Sequence, residues 1–123
     1  MQLELKTCAF DIAKANEEIE MFVKDTPEFA LFKKDIKTKR AIERNLEIIG
    51  EAMNRMLEHE FKIQFTDARK IVDTRNRIIH GYDTVSDEVI WSIVSINLPV
   101  LKGEIKKFLE LKKCYPVNGG SST

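Results

Sequence analysis

The sequence has few of the residues that build disulfide scaffolds and metal sites. Its 123 residues include two cysteines and two histidines. Cys8 and Cys114 stand near opposite ends of the chain, with no Cys-x-x-Cys pair and no clustered histidines. This spacing indicates neither a zinc site nor a disulfide framework, so we expect small buried hydrophobes or exposed thiols. We therefore expect no metal and no cofactor.

Long apolar runs and an excess of one charge are also missing. The first segment, MQLELKTCAFDIAK, places acids and lysines among its apolar positions, so we expect no signal peptide, no membrane span and a cytoplasmic location. Lys and Arg number 20, and Asp and Glu number 20. A neutral molecule is not typical of a DNA-coating protein, and nucleic-acid binding would need a local basic patch.

Proline and glycine are scarce, at three and five residues, and no segment alternates polar and apolar residues as a half-buried strand does. The chain is therefore predicted to be all-α. Its length suits a single domain, residues 1–115. The remaining residues, 116–123, form a Gly/Ser-rich tail that we expect to be disordered.

Four long helices are predicted, at about 3–24, 35–60, 66–81 and 86–113. Thr66 and Ser86 are the predicted N-caps of the third and fourth helices, and Thr26 with Pro27 is the predicted start of a short turn after the first. Gly50 is expected to mark a close crossing of two helices, and Pro99 to kink the last helix.

The predicted core positions recur at three- and four-residue steps along each helix. They are Leu5, Cys8, Ala9, Ile12, Ala15, Ile19, Phe22 and Val23; Ile42, Leu46, Ile49, Met53, Met56 and Leu57; Ala68, Ile71, Val72, Ile78 and Ile79; and Val89, Ile93, Ile96, Val100, Leu101, Ile105 and Phe108.

One segment contains more polar side chains than a helix end and its turn require. It is TRNRIIHGYD, residues 74–83. At about 100° per residue, Asn76 and His80 face the same way, while Arg75 and His80 are offset by roughly 140°. Either the helix end distorts toward Gly81, or a second copy of the chain supplies the partner residue across a two-fold axis. The second arrangement is favoured. Gly81 is expected to adopt a positive φ that ends the helix.

Imidazole and guanidinium together suit phosphodiester chemistry. His80 can move a proton near neutral pH, and Arg75 can bind a phosphate and stabilise charge in the transition state. RNA carries an internal nucleophile, its 2′-hydroxyl, so the pair points to RNA cleavage sooner than to DNA hydrolysis. The alternative is structural: His80 caps the last carbonyls of its helix, Arg75 and Arg77 pair with acids, and Tyr82 packs its ring.

Residues 75–82, RNRIIHGY, resemble the Arg-x4-His-x-Tyr motif of the HEPN superfamily, specifically the HepT-type toxin of the minimal-nucleotidyltransferase toxin–antitoxin pair. Residues 41–52, AIERNLEIIGEA, resemble the second-helix signature of that family, and 89–94 with 98–101 resemble its final helix. The resemblance covers most of residues 1 to about 112.

This resemblance implies a HEPN-type bundle of four to five helices, a homodimer formed through the motif-bearing helices, and metal-independent ribonuclease activity on an RNA substrate. Arg75 and His80 would be the catalytic pair, with Asn76 and Arg77 in support. Members of the group are silenced by a nucleotidyltransferase antitoxin that transfers AMP to the motif tyrosine, here Tyr82. The protein is thus expected to be the toxin of a type VII toxin–antitoxin system.

Two other functions stay open from the sequence: a non-catalytic helical module that binds a separate nucleotidyltransferase, and a plain helical dimerisation module. The remaining candidate residues favour structural roles. We expect Trp91 to pack in the core or an interface, His59 to lie at the surface, and a set of arginines to form salt bridges on solvated faces. That set is Arg40, Arg44 and Arg69.

Overall fold

The computed structural model describes the backbone of residues 2–58, 65–81 and 85–114, and within these ranges it contains helices and no strand. The helices are α1 (Gln2–Asp25), α2 (Phe29–Lys34), α3 (Ile36–Glu58), α4 (Ala68–His80), α5 (Asp87–Ser92) and α6 (Leu98–Cys114), with a π-helical turn at Ile93–Asn97. The all-α prediction is confirmed. The predicted tail at 116–123, His59 and Tyr82 lie outside the described residues.

Helix α3 is the central element of the bundle. It packs against α1 on one side and α4 on the other, while α6 packs on α1 and the short α2 on α3. Segments α5, π turn and α6 follow one another without a break. Every element of the bundle contributes to the most deeply buried side chains: Ile12, Ile19, Phe32, Ile42, Leu46, Ile49, Met53, Ile71, Ile90, Ile93, Leu98 and Leu101.

Two helix starts are fixed by side-chain caps. The Ser86 hydroxyl accepts a hydrogen bond from the Val89 N–H at 3.2 Å, which confirms the predicted cap. Helix α3 begins after Asp35, whose carboxylate accepts from the Thr38 N–H at 3.1 Å and from the Thr38 hydroxyl at 2.8 Å. Asp35 thereby satisfies one of the backbone donors that the first turn of a helix leaves unpaired.

The two threonine caps predicted from the sequence are wrong. Thr26 donates its hydroxyl back to the Phe22 carbonyl of α1, and α2 begins later, after Glu28, without a side-chain cap. Thr66 donates its hydroxyl to the Glu104 carboxylate of α6 at 2.6 Å. Helix α4 instead follows Asp67, which has a left-handed backbone at φ 61°. In both places the hydroxyl donates to another acceptor, a local carbonyl one turn earlier for Thr26 and a carboxylate of the distant α6 for Thr66.

The π turn changes which face of the last helix is buried. Ile96 and Val100, predicted to be core residues, are 63% and 46% exposed. Buried positions instead follow exact four-residue steps, at 90, 94 and 98 and at 93, 97, 101 and 105. A wider turn rotates each later residue back by part of a turn, so the 3.6-residue period used for the prediction does not hold there. The distortion lies immediately before Pro99, whose ring clashes with a regular α-helical turn.

Most other predicted core positions are buried, Ile79 being an exception at 46% exposure. Cys8 is a buried core residue, and burial raises the pKa of its thiol. Trp91 packs on Phe32, with ring centroids 5.1 Å apart, which confirms its structural role. None of the helices in the described part of the chain has the length and apolar character needed to span a bilayer.

Candidate functional site

Helix α4 carries the polar motif, and its end is defined by a glycine. Gly81 has φ 68°, and its N–H donates to the Arg77 carbonyl at 3.1 Å. This left-handed residue closes the last turn and satisfies one of the orphan carbonyls at the helix end. The expected positive φ at Gly81 is confirmed. The residue that follows, Tyr82, lies outside the described residues.

Arg75 faces the crossing of α4 with α3. A Cβ atom added to Gly50 would overlap the Arg75 Cβ, would lie 2.7 Å from the Arg75 Cγ, and would be 3.4 Å from the Ile71 carbonyl oxygen. The two helices therefore approach closely at this point because α3 has no side chain there. The close crossing predicted from Gly50 is confirmed, and the residue packed on it is Arg75.

The Arg75 guanidinium is held by two side chains. Its Nη1 donates to the Asn76 amide oxygen at 2.7 Å. Its Nη2 lies 3.9 Å from a Glu51 carboxylate oxygen, and the other oxygen of Glu51 pairs with Arg55 at 3.3 Å. The Arg75 Nε is buried and has no hydrogen-bond partner in the described part of the chain. One side of the guanidinium is thus enclosed by protein.

His80 is the last residue of α4 and is exposed to solvent. The helix stays α-helical through His80, and only Gly81 leaves it. The arrangement in which a distorted helix end brings Arg75 toward His80 is therefore not the one observed. Regular helical phase keeps the two side chains about 140° apart within one chain. Arg77 is exposed on the opposite side of the helix from Arg75, separated from it by about 200° of helical phase.

Comparison with known proteins places the chain in a family. Residues 12–108 match the model of the HepT-like family, described as "Ribonuclease HepT-like". The chain belongs to the HepT-like family. No solved structure matches it significantly.

Three relatives illustrate the similarity. A Thermococcus cleftensis protein named "Probable ribonuclease HepT" is 38% identical over 99 residues, covering 79% of this chain and 88% of the relative. A Methanocaldococcus jannaschii protein named as a "Putative RNase" is 31% identical over 112 residues, covering 89% and 88%. Another protein of that description, from Caldanaerobacter subterraneus, is 34% identical over 87 residues, covering 69% and 77%.

Two residues that face Arg75 were not predicted as site residues from the sequence, Gly50 and Glu51. Both lie in the segment at 41–52 that resembles the family's second helix, and Gly50 was in addition predicted to mark a close helix crossing. Both face Arg75 across the α3–α4 crossing. A glycine inside a long amphipathic helix is the one sequence signal that marks this position as a helix crossing. No pattern in the sequence shows that residue 75 is the one packed against residue 50.

The surrounding surface contains mixed charges. Arg40 pairs with Glu43 at 3.0 Å and Arg44 with Glu47 at 3.3 Å, as predicted for solvated salt-bridged faces. A polar cleft of about 180 Å³ adjoins the site and includes Glu51 in its lining. A larger, mostly apolar cleft of about 380 Å³ lies between α1 and α6 and includes no motif residue. In the described residues, no three His, Cys, Asp or Glu side chains are grouped to hold a metal.

Proposed function

We propose that this HepT-like protein is a metal-independent RNA endonuclease and the toxin of a type VII toxin–antitoxin system. The observation that carries the proposal is the family match over residues 12–108, together with an Arg-x4-His motif whose arginine is enclosed at a helix crossing. The relatives named as ribonucleases support RNA as the substrate. A guanidinium fixed by neighbouring side chains is the kind of group that binds and stabilises a phosphate in a transition state.

In the proposed reaction the substrate supplies its own nucleophile. The RNA 2′-oxygen attacks the adjacent phosphorus, the bond from phosphorus to the 5′-oxygen breaks, and a 2′,3′-cyclic phosphate remains on one product. The proton of the 2′-hydroxyl passes to a base, and the 5′-oxygen receives a proton. His80 serves as the general acid or base, and Arg75 stabilises the charge that develops on the phosphorane oxygens.

We also propose a homodimer in which both motifs face one cleft. Support comes from α4 itself: because the helix is regular to its end, Arg75 and His80 of one chain point in different directions. A second copy related by a two-fold axis can bring His80 of one chain toward Arg75 of the other. Arg77 and Asn76 would then support the site, Asn76 by its hydrogen bond to Arg75.

Regulation by a separate minimal nucleotidyltransferase antitoxin completes the proposal. AMP transfer from ATP to the Tyr82 hydroxyl, with release of pyrophosphate, would place a bulky anion two residues after His80. A negatively charged adduct beside the catalytic pair would repel the RNA backbone and occupy the site.

The test is cleavage of total RNA in EDTA by protein produced without its antitoxin. We expect wild type to leave 2′,3′-cyclic phosphate ends and His80→Ala to lose at least about 10² in rate, the contribution typical of general acid–base catalysis. His59→Ala, which changes the only other histidine, is the matched control and should cleave normally. Equal cleavage by wild type and His80→Ala would contradict the assignment, and no cleavage by either would favour a non-catalytic binding module.

A further inference from the structure

The Arg75 side chain depends on α3 for its position. Its aliphatic stem lies where a side chain at residue 50 would otherwise stand. One end of its guanidinium is bound by Asn76, the next residue of the same helix, and the other end faces Glu51 of α3. Contacts from two helices therefore hold the guanidinium at both ends, while its Nε is buried.

We propose that Gly50 and Glu51 are positioning residues for Arg75, which rests on the proposed ribonuclease function for its catalytic consequence. Gly50 supplies the space that lets the arginine stem lie flat on α3. Glu51 supplies a negative charge that orients the Nη2 end. Neither residue needs to contact the RNA, because both act through the placement of the guanidinium.

A Cβ atom at residue 50 would collide with Arg75, whereas a Cβ atom at Gly103 would meet nothing within 4 Å. The overlapping Arg75 atoms are its Cβ and Cγ, which are close to the backbone and cannot swing away as the end of a long side chain can. A methyl group at residue 50 must therefore move the backbone of α4 or the stem of Arg75. A displacement of about 1 Å in a catalytic group can cost about 10²-fold in rate.

Glu51 should influence the position of Arg75 less than Gly50 does, and the sign of its effect on RNA binding follows from its negative charge. At 3.9 Å it is beyond hydrogen-bond distance from Arg75, its side chain is 53% exposed, and it also pairs with Arg55. Such an ion pair orients a guanidinium without neutralising it. Since a carboxylate beside a phosphate site repels the phosphate, its removal by itself would strengthen RNA binding. Loss of kcat without a rise in KM therefore identifies positioning.

The first experiment compares Gly50→Ala with Gly103→Ala. Gly103 lies in α6, and a Cβ there would meet nothing within 4 Å, so its alanine variant is a matched control for the helical glycine-to-alanine change. We expect Gly50→Ala to lower kcat by about 10²-fold with a smaller change in KM, and Gly103→Ala to cleave like wild type.

A spectroscopic readout tests the position of Arg75 without relying on activity. The Nε of Arg75 is buried, so its N–H should give a slowly exchanging signal in ¹H–¹⁵N spectra, assigned by its loss in Arg75→Lys. In Gly50→Ala this signal should shift and exchange faster with water. In Gly103→Ala it should be unchanged. An unchanged signal and unchanged kcat in folded Gly50→Ala would overturn the role of Gly50.

The second experiment compares Glu51→Gln with Glu47→Gln, and it decides the matter if Gly50→Ala does not fold. Glu47 lies one turn earlier on α3 and pairs with Arg44, so its variant loses a similar ion pair away from Arg75. We expect Glu51→Gln to lower kcat about two- to fivefold with KM unchanged or lower, to shift the Arg75 Nε–H signal, and to leave the melting temperature near that of Glu47→Gln.

The outcomes separate this inference from the proposed function. If wild type does not cleave RNA, the proposed function fails, and the Nε–H spectra alone decide whether α3 positions Arg75. If wild type cleaves, but Glu51→Gln raises kcat or matches Glu47→Gln in both rate and spectrum, Glu51 is not a positioning residue.

Discussion

At the scale of single residues, short polar side chains fix the places where the chain changes direction. Asp35 begins α3 by accepting two hydrogen bonds from Thr38, and the backbone N–H of Thr38 is the main cause that lowers the pKa of the Asp35 carboxyl below its ordinary value. The cap matters for the site, because α3 carries the Gly50 and Glu51 pair that faces Arg75.

Asp35 should make stability depend on pH in a known direction. Because its pKa is lower in the folded state, its stabilisation is present above the unfolded pKa and is lost as pH falls through the folded value. We expect Asp35→Ala to melt at a lower temperature than wild type at pH 7, and the difference to shrink below about pH 4. Thermal melts between pH 7 and pH 3 measure this. Asp35→Asn keeps an acceptor but not the charge, so its melting temperature should fall less than that of Asp35→Ala at pH 7.

Tyr82 tests the proposed regulation. Phenylalanine keeps the ring and removes the acceptor oxygen, so Tyr82→Phe should cleave RNA at a rate near that of wild type and take up no AMP from the antitoxin and ATP. The measurement is the intact mass after incubation. Tyr115→Phe, which changes the only other tyrosine, is the control and should still gain AMP. Retained AMP on Tyr82→Phe would assign the modification to another residue.

At the scale of helices, the start of α4 is coupled to the π turn. Asp67 has a left-handed backbone, and its carboxylate accepts a hydrogen bond from the buried Asn97 amide at 2.6 Å. The Asn97 side-chain oxygen is buried without a hydrogen-bond partner in the described part of the chain. The bond to Asp67 is therefore important for satisfying the Asn97 side chain. The contact joins the helix that bears the motif to the helix that follows it.

Three substitutions at Asp67 separate strain from hydrogen bonding. Asp67→Ala should lower the free energy of unfolding by about 2 kcal/mol, since alanine disfavours the left-handed region and leaves the Asn97 amide unpaired. Glycine adopts the left-handed backbone without strain, so Asp67→Gly loses only the hydrogen bond. The free energy of unfolding should then fall by about 1 kcal/mol. Asp67→Asn keeps both features and should stay near wild type. Urea denaturation measures all three, and a glycine variant less stable than the alanine variant would contradict this division.

At the scale of the whole molecule, α4 packs on one side of α3 and carries the polar motif at its C-terminal end. The net charge is zero, and within the described ranges Arg40 and Arg44 pair with acids, so the surface there carries mixed charge. RNA recognition would then depend on a local site, and the proposed homodimer would double the local density of arginine and histidine there.

Subunit mixing distinguishes a shared site from a site within one chain. Arg75→Ala and His80→Ala are each expected to be inactive, but mixed dimers would contain one site with both residues intact if the pair spans two chains. With random mixing in equal amounts, half of the dimers are mixed and half of their sites are intact, so about a quarter of wild-type activity should return. Cleavage after co-refolding is the measurement. No recovery, with mixed dimers confirmed by mass, would place the pair within one chain.

Much of this protein follows from the sequence alone. Helical periodicity predicted the four long helices to within a few residues, and Ser86 and Gly81 were identified as helix ends, because these features depend on local backbone and side-chain chemistry. The segment at 75–82 was identified from the sequence as the candidate site.

Other features depend on contacts between distant residues. The Thr66 hydroxyl, expected to cap α4, instead donates a hydrogen bond to Glu104, 38 residues later. The π turn changes the helical phase, so Ile96 and Val100 lie outside the core. The placement of Gly50 and Glu51 against Arg75 likewise arises from two helices crossing, which sequence spacing does not encode. Local patterns therefore determined which helices form and where the motif lies, and the packing of α3 on α4 decided which side chains hold its arginine.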